Sequence, residues 1–248
     1  MLVTQEHLNQ FHEQGFYILD RAICEEDLER LRVECQKYVD LKNSEMDESA
    51  KNTIGISHRN NRYFVTNKFE GSEFLKDFLF NRTMEQITRS AIGDDVYLFL
   101  ELFVVKYPKV GLPFGWHQDS GYMQGHPHKP YLTCWCALDD MSEENGTLYI
   151  LPYSRAHTRD VVEHVRDEAT NDLIGYRGDE SGVPINVRAG SIVVFPSTIF
   201  HRTGPNKSDK PRRAYLAEYS PEPIRDRSGK LWSLAVPFIK DGRRVIDN

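Results

Sequence analysis

The sequence is poor in cysteine. Four residues, Cys24, Cys35, Cys134 and Cys136, occur in 248 positions, and their spacing matches no disulfide framework. That excludes a small cross-linked secreted scaffold and points to a reducing, cytoplasmic setting. Long apolar runs are missing too. The longest, from Val96 to Val105, is broken by Glu101 and is far too short to cross a bilayer, so no membrane partner is expected. The opening MLVTQEHLNQFHEQ carries no apolar h-region, so no secretory signal is expected. Positive charge is not in excess: 31 Lys and Arg stand against 37 Asp and Glu, for a formal net charge of −6. Binding to a nucleic-acid backbone needs clustered Lys and Arg, so nucleic acid is not expected as a partner. Repeats, low-complexity segments and linkers are absent as well. The expectation is one domain over 1–248, with N-terminal helices (1–95) packing on a β core (96–248).

What is present reads as helices followed by strands. Thr4 is a plausible N-cap for a helix to Gln14 that Gly15 ends. A short strand follows from Phe16 to Leu19. Glu25 to Val39 spaces Leu28, Leu31 and Val39 helically among charges. Residues 40–61 are polar and irregular, which predicts a mobile loop. Two short helices are expected near Glu73 to Phe80 and Thr83 to Ser90. From residue 96 β-branched and aromatic residues dominate. Strands are predicted at Val96 to Tyr107, Tyr131 to Leu138, Thr147 to Leu151, Ile185 to Val187, Ser191 to Phe195 and Arg212 to Tyr219, with Pro and Gly turns between. Cys134 and Cys136 then share one face of a strand and read as two small core residues. The pattern predicts an antiparallel sandwich or closed barrel.

One short motif carries chemistry. Gly115-Trp116-His117-Gln118-Asp119 contains an H-x-D pair. In an extended chain residues two apart point the same way, so His117 and Asp119 can offer an imidazole and a carboxylate to one point. Two histidines and one carboxylate form the facial ligand set of non-heme iron(II) oxygenases. His201 is the best third ligand, because it follows a predicted strand and precedes one that opens with Arg212-Arg213. A planar cation there suits the far carboxylate of a keto-diacid chelated to the metal. His126, His128, His157 and His164 compete for the third place. Structural zinc prefers Cys and His at short spacing, which this chain does not offer.

The motifs resemble those of the phytanoyl-CoA dioxygenase family nearly end to end. Phe11-His12-Glu13-Gln14-Gly15-Phe16 resembles the family's entry into its first strand, and Trp116-His117-Gln118-Asp119 its W-H-x-D block. Trp135-Cys136-Ala137-Leu138-Asp139-Asp140 with Glu144-Asn145-Gly146, and the stretch from His201 to Arg212 with Asn206 and Ser208, resemble two further elements. The resemblance implies a mainly β fold with flanking helices, built on a double-stranded β-helix (jelly-roll, cupin-like) core. It implies iron(II) at His117, Asp119 and His201, with 2-oxoglutarate as cosubstrate and O2 as oxidant. It further implies that Arg212 binds the far carboxylate of 2-oxoglutarate while Arg213 points to the other face. Thr203 and Trp135 would border the cosubstrate, and Arg62 would assist it. The expected activity is hydroxylation of an unactivated C–H bond in a small molecule. A halogenating relative lacks the carboxylate that Asp119 supplies. Desaturation or epimerisation at the same site, or a catalytically silent binding protein, are the alternatives. Relatives read P-G-S-H where this chain has Pro152-Tyr153-Ser154-Arg155, so the substrate does not carry over. Lys106, Arg155, His126 and His128 are candidates for the pocket mouth, with Trp116 and Tyr122 as walls.

Overall fold

The computed structural model describes residues 2–123 and 126–245. Helix α1 (Gln5–Gln14) starts at Thr4, whose hydroxyl accepts the His7 amide while His7 Nδ1 accepts the Thr4 amide. Gly15, at φ 91°, closes it. Strand β1 (Tyr17–Leu19) leads into α2 (Glu25–Glu48). That helix runs nine residues past the predicted end at Val39. One buried residue, Met46, continues the stripe of Leu28, Leu31, Cys35, Tyr38 and Val39 through otherwise polar sequence. The expected mobile loop is therefore a correction: its first nine residues are helix, and the remainder holds a tight pairing of Thr53–Ile54 with Ser57–His58. Strand β2 (Arg62–Thr66) follows, then α3 (Glu73–Leu79) and α4 (Arg82–Ala91), capped by Ser72 and Asn81.

The β portion contains β3 (Val96–Lys106), β4 (Phe114–His117), β5 (Leu132–Ala137), β6 (Leu148–Leu151), β7 (Ile192–Pro196), β8 (Phe200–Thr203), β9 (Arg212–Ser220) and β10 (Val236–Lys240). The large antiparallel sheet runs β1-β7-β5-β9-β3-β2 and continues into the 53–58 pairing, with β10 also on β3. The small sheet runs β4-β8-β6, with Val183–Pro184 on the outer edge of β6. The strand expected at Ile185 to Val187 is thus displaced to Val183–Pro184. Two facing antiparallel sheets of this order form the double-stranded β-helix, the predicted fold class.

Alternation sorts the strands' side chains. Facing α2, α3 and α4, the large sheet buries Tyr63, Val65, Phe103, Val105, Cys134, Cys136, Ile192, Val194, Tyr215 and Ala217. Facing the small sheet, it turns Leu102, Val104, Trp135, Val193, Phe195, Ala214 and Leu216 toward Leu148 and Ile150. Cys134 and Cys136 do share one face, and both are free. Arg213 points outward and pairs with Asp139, while Arg212 points into the barrel.

Candidate metal centre

Two strands of the small sheet place the histidines. His201 on β8 lies opposite His117 on β4, with ring centroids 4.1 Å apart. The register then shifts: two steps along β8, to Thr203, correspond to three along β4, back to Phe114. This bulge turns both Phe114 and His117 into the cavity. Gly115 sits inside it, where a Cβ would run into Ile174 Cδ1. Strand β4 ends at His117, and Asp119 opens a 3-10 turn (Asp119–Met123). The two residues converge, but not by the strand alternation that the sequence suggested; the chain turns between them. Gln118 anchors that turn. Its side chain donates to Thr198 O at 2.6 Å and Asp160 O at 2.8 Å, and its amide donates to His164 Nε2 at 2.9 Å.

Among the described residues, His117, Asp119 and His201 form the one group of three with ligand atoms all within 4.8 Å of one another. Asp119 Oδ1 stands 3.5 Å from His117 Nε2 and 3.4 Å from His201 Nε2. Each imidazole uses Nδ1–H on a carbonyl two residues back, His117 on Gly115 O at 2.9 Å and His201 on Ile199 O at 3.2 Å. Both Nε2 lone pairs therefore point at the shared centre. Burial, then His201, pulls His117 down to about 4, which keeps it neutral and able to ligate. Burial pushes Asp119 up, but His201 and His117 outweigh it and hold the carboxyl below the usual range. Thr133 on β5 donates to Asp119 Oδ2 at 2.9 Å and fixes the free oxygen.

The cluster opens on a cavity of about 420 Å³. Its walls are largely apolar: Phe64, Leu100, Leu102, Val104, Phe114, Trp135, Leu148 and Leu216, with Tyr122 and Tyr131. Arg212 and Thr203 line it too. Arg212 is fully buried, and its Nη2 donates to Gly146 O at 2.7 Å. Its Nε and Nη1 find no partner among the described residues. Unpaired buried donors are rare, and these leave the guanidinium free to meet a carboxylate from the cavity.

Arg62 is not brought to this cavity. It is fully buried, and all its N–H groups are spent on Asp172, Ile56 O, Pro113 O and Thr170 O. Lys106 is also fully buried, donating to Gly204 O, which corrects its expected place at the mouth. Arg155 pairs with Glu180, and His128 Nε2 bonds Ser120 Oγ at 2.9 Å. His126 stacks near Trp232, and His157 closes a helical turn at φ 55°. Tyr122 is a cavity wall, whereas Trp116 packs outside with Tyr149, Leu151 and Phe200. Thr133, which holds Asp119, and Glu218, which lines the cavity, had not been singled out. Alternation would have found them: Thr133 is two residues before Trp135, and Glu218 is six after Arg212.

Fold and cluster together define a double-stranded β-helix protein with a two-histidine, one-carboxylate metal centre. The chain belongs to the phytanoyl-CoA dioxygenase (PhyH) family, whose model matches residues 11–214. Iron(II), 2-oxoglutarate and O2, the expected cofactor set, agree with that membership and with the donor set found. Phytanoyl-CoA dioxygenase domain-containing protein 1 of Danio rerio is 22% identical over 94% of this chain and 93% of its own length. Alignments to the Mus musculus and Bos taurus proteins of the same name cover 46% of their lengths. Among solved structures, the carbocyclase SnoK from nogalamycin biosynthesis superposes with TM-score 0.71 at 21% identity, over 95% of this chain and 93% of that one. The epimerase SnoN, solved with Fe3+, alpha ketoglutarate and nogalamycin RO, gives 0.68 at 17% identity, over 96% of both chains. No helix among the described residues is long and apolar enough to cross a membrane.

Proposed function

We propose that the protein is an iron(II)- and 2-oxoglutarate-dependent dioxygenase that hydroxylates an unactivated C–H bond of a small molecule. One observation carries the reading: a cluster of two imidazoles and a carboxylate shares a largely apolar cavity with a buried arginine that has two donors without partners among the described residues. When bound, iron(II), 2-oxoglutarate and O2 supply the oxidation, giving hydroxylated product, succinate and carbon dioxide.

The side chains then have distinct tasks. His117, Asp119 and His201 would hold the metal, and the cavity they line would receive the other reactants. Arg212 would take the far carboxylate of 2-oxoglutarate on its free N–H groups. Thr203 lies beside that path on β8, and Trp135 flanks Arg212, with its ring 5.8 Å from the guanidinium carbon. The apolar walls exclude water from the reacting C–H bond. Arg62 acts differently from the expectation: we assign it to bracing the 170–172 loop through Asp172, outside the cosubstrate site. Besides Arg212, the lining cation is Lys42, which pairs with Glu45.

Succinate release from 2-oxoglutarate by iron-loaded protein tests the class, and product analysis with a stimulating substrate tests the outcome. Because similar folds are named carbocyclase and epimerase, a product one oxygen heavier than substrate is the required result. Succinate no higher than in a metal-free control, with iron binding unchanged in His117→Ala, overturns the proposal.

A further inference from the structure

Among the described residues the cavity holds two orphaned polar groups, and the proposed function uses one. The other is Glu218. It lies on β9 at the same inward register as Arg212, three alternations along, which sets the two roughly 20 Å apart. It is 4% exposed, it lines the cavity, and its Oε2 has no hydrogen-bond partner among the described residues. Across the sheet it faces Thr133 on β5 and Leu100 on β3. Thr133 is the residue whose hydroxyl holds Asp119. Glu218 therefore sits at the metal end of the strand, and Arg212 at the far end. With 2-oxoglutarate spanning the Arg212 side, the space beside Glu218 is left to the substrate.

A purely structural role does not account for it. Packing would be served by leucine, as at Leu216, and a buried carboxyl without a partner works against folding. Retained unpaired groups of this kind occur where a ligand completes them. Burial, and then the Asp119 carboxylate, push the Glu218 acid well above its ordinary range.

We propose that Glu218 is the recognition point for the substrate's polar group. The substrate is a small, mostly hydrocarbon molecule bearing a hydrogen-bond donor, a hydroxyl or an ammonium, which the Glu218 carboxyl receives. This rests on the dioxygenase reading, because the cosubstrate's place defines what space is left. A hydroxyl exchanges hydrogen bonds with the acid form. An ammonium pairs with the carboxylate, its charge replacing the proton. Either contact, fixed beside Asp119, determines which C–H bond faces the metal.

The test is calorimetric binding of four probes to protein loaded with iron(II) and 2-oxoglutarate under argon. The probes are cyclohexanol, cyclohexylamine, methylcyclohexane and cyclohexanecarboxylate. In Glu218→Leu, the affinity of cyclohexanol relative to methylcyclohexane falls by about tenfold or more. In Glu218→Gln, which keeps the shape and an acceptor, cyclohexanol binding survives and cyclohexylamine binding falls by about tenfold or more. If Glu218→Leu does not fold, the glutamine variant decides alone. The proposal is overturned if no donor probe binds the wild type, if cyclohexanecarboxylate binds it as well as the donors do, or if the ratios do not move in the variants. 2-Oxoglutarate binding, measured in the same cell, separates the two readings. If it binds normally while the donors show no preference, only the Glu218 assignment falls. If it does not bind the wild type, the dioxygenase reading falls.

Discussion

Replacing Arg212 should separate cosubstrate binding from folding. The guanidinium is fully buried, makes one bond to Gly146 O, and leaves Nε and Nη1 unpaired. Burial pulls it down to about 10, so it remains charged at neutral pH. Two charge-assisted hydrogen bonds to a carboxylate are each worth about 1.5–3 kcal/mol. Taking the lower figure for both, Arg212→Met should weaken 2-oxoglutarate binding by ~3 kcal/mol, about a hundredfold in Kd. Arg212→Lys keeps the charge but not the fork, and should fall between wild type and methionine. The ligand-free protein should behave otherwise. Methionine removes two buried donors that lack partners, each costing ~1–3 kcal/mol, at the loss of one neutral-acceptor bond and some packing. Its urea midpoint should therefore match or exceed that of the wild type. Calorimetry of 2-oxoglutarate against metal-loaded protein, beside urea unfolding without ligand, gives both numbers. A Kd change below about tenfold would refute the assignment. So would a loss of stability as large as the loss of binding, because Arg212 would then be a structural cation.

Three further outcomes follow from the same geometry. Thr133→Val removes the bond to Asp119 Oδ2 and should weaken metal binding about 10–100-fold, read by Co(II) titration; an unchanged affinity would show that Asp119 needs no orientation. In metal-free protein the stability of the wild type relative to Glu218→Gln should fall as pH rises from about 4.3, the unfolded Glu pKa, because folded Glu218 keeps its proton while the unfolded chain releases it; the difference changes by up to ~1.4 kcal/mol per pH unit until the folded pKa is passed, and His117, neutral when folded, adds the opposite slope to both proteins alike. Urea-midpoint profiles of the two proteins that run parallel through that region would contradict the raised pKa. Arg62→Met leaves Asp172 buried without its ion partner and should cost ~3–5 kcal/mol in urea unfolding, while 2-oxoglutarate affinity changes less than about threefold; a large affinity loss would return Arg62 to the cosubstrate site.

Much of the fold was legible because long strands advertise themselves. The apolar run from Val96 and the strand from Arg212 were placed within a residue or two. Strands β2, β4 and β8 were not, for a physical reason. Each is four or five residues long and carries a charged or histidine side chain inward, so none shows an apolar alternation. The same property hid the continuation of α2, where Met46 alone supplies the buried contact for the last turns. The ligand triplet was readable from residue type and motif, yet the reason given for the H-x-D pair was wrong in detail. A bulge and a turn, not two-residue alternation, bring His117 and Asp119 together.

What sequence cannot display is whether a polar group has a partner. Arg62 and Arg212 are both fully buried arginines at the start of inward-facing strands, and both lie opposite Lys106 on β3. Nothing in their local sequence tells them apart. Asp172, 110 residues away, takes the Arg62 guanidinium, and loop carbonyls take the rest. Among the described residues none reaches Nε and Nη1 of Arg212. One arginine is thereby a brace and the other a receptor. The same criterion sets Glu101 apart from Glu218. Both are buried glutamates with one oxygen unclaimed, but Glu101 accepts the amides of Lys68 and Phe69 on its other oxygen and faces the helices, while Glu218 faces the cavity. The fold determines which polar side chains it leaves unsatisfied, and here two of them lie at opposite ends of one strand, with the metal ligands facing the cavity between them.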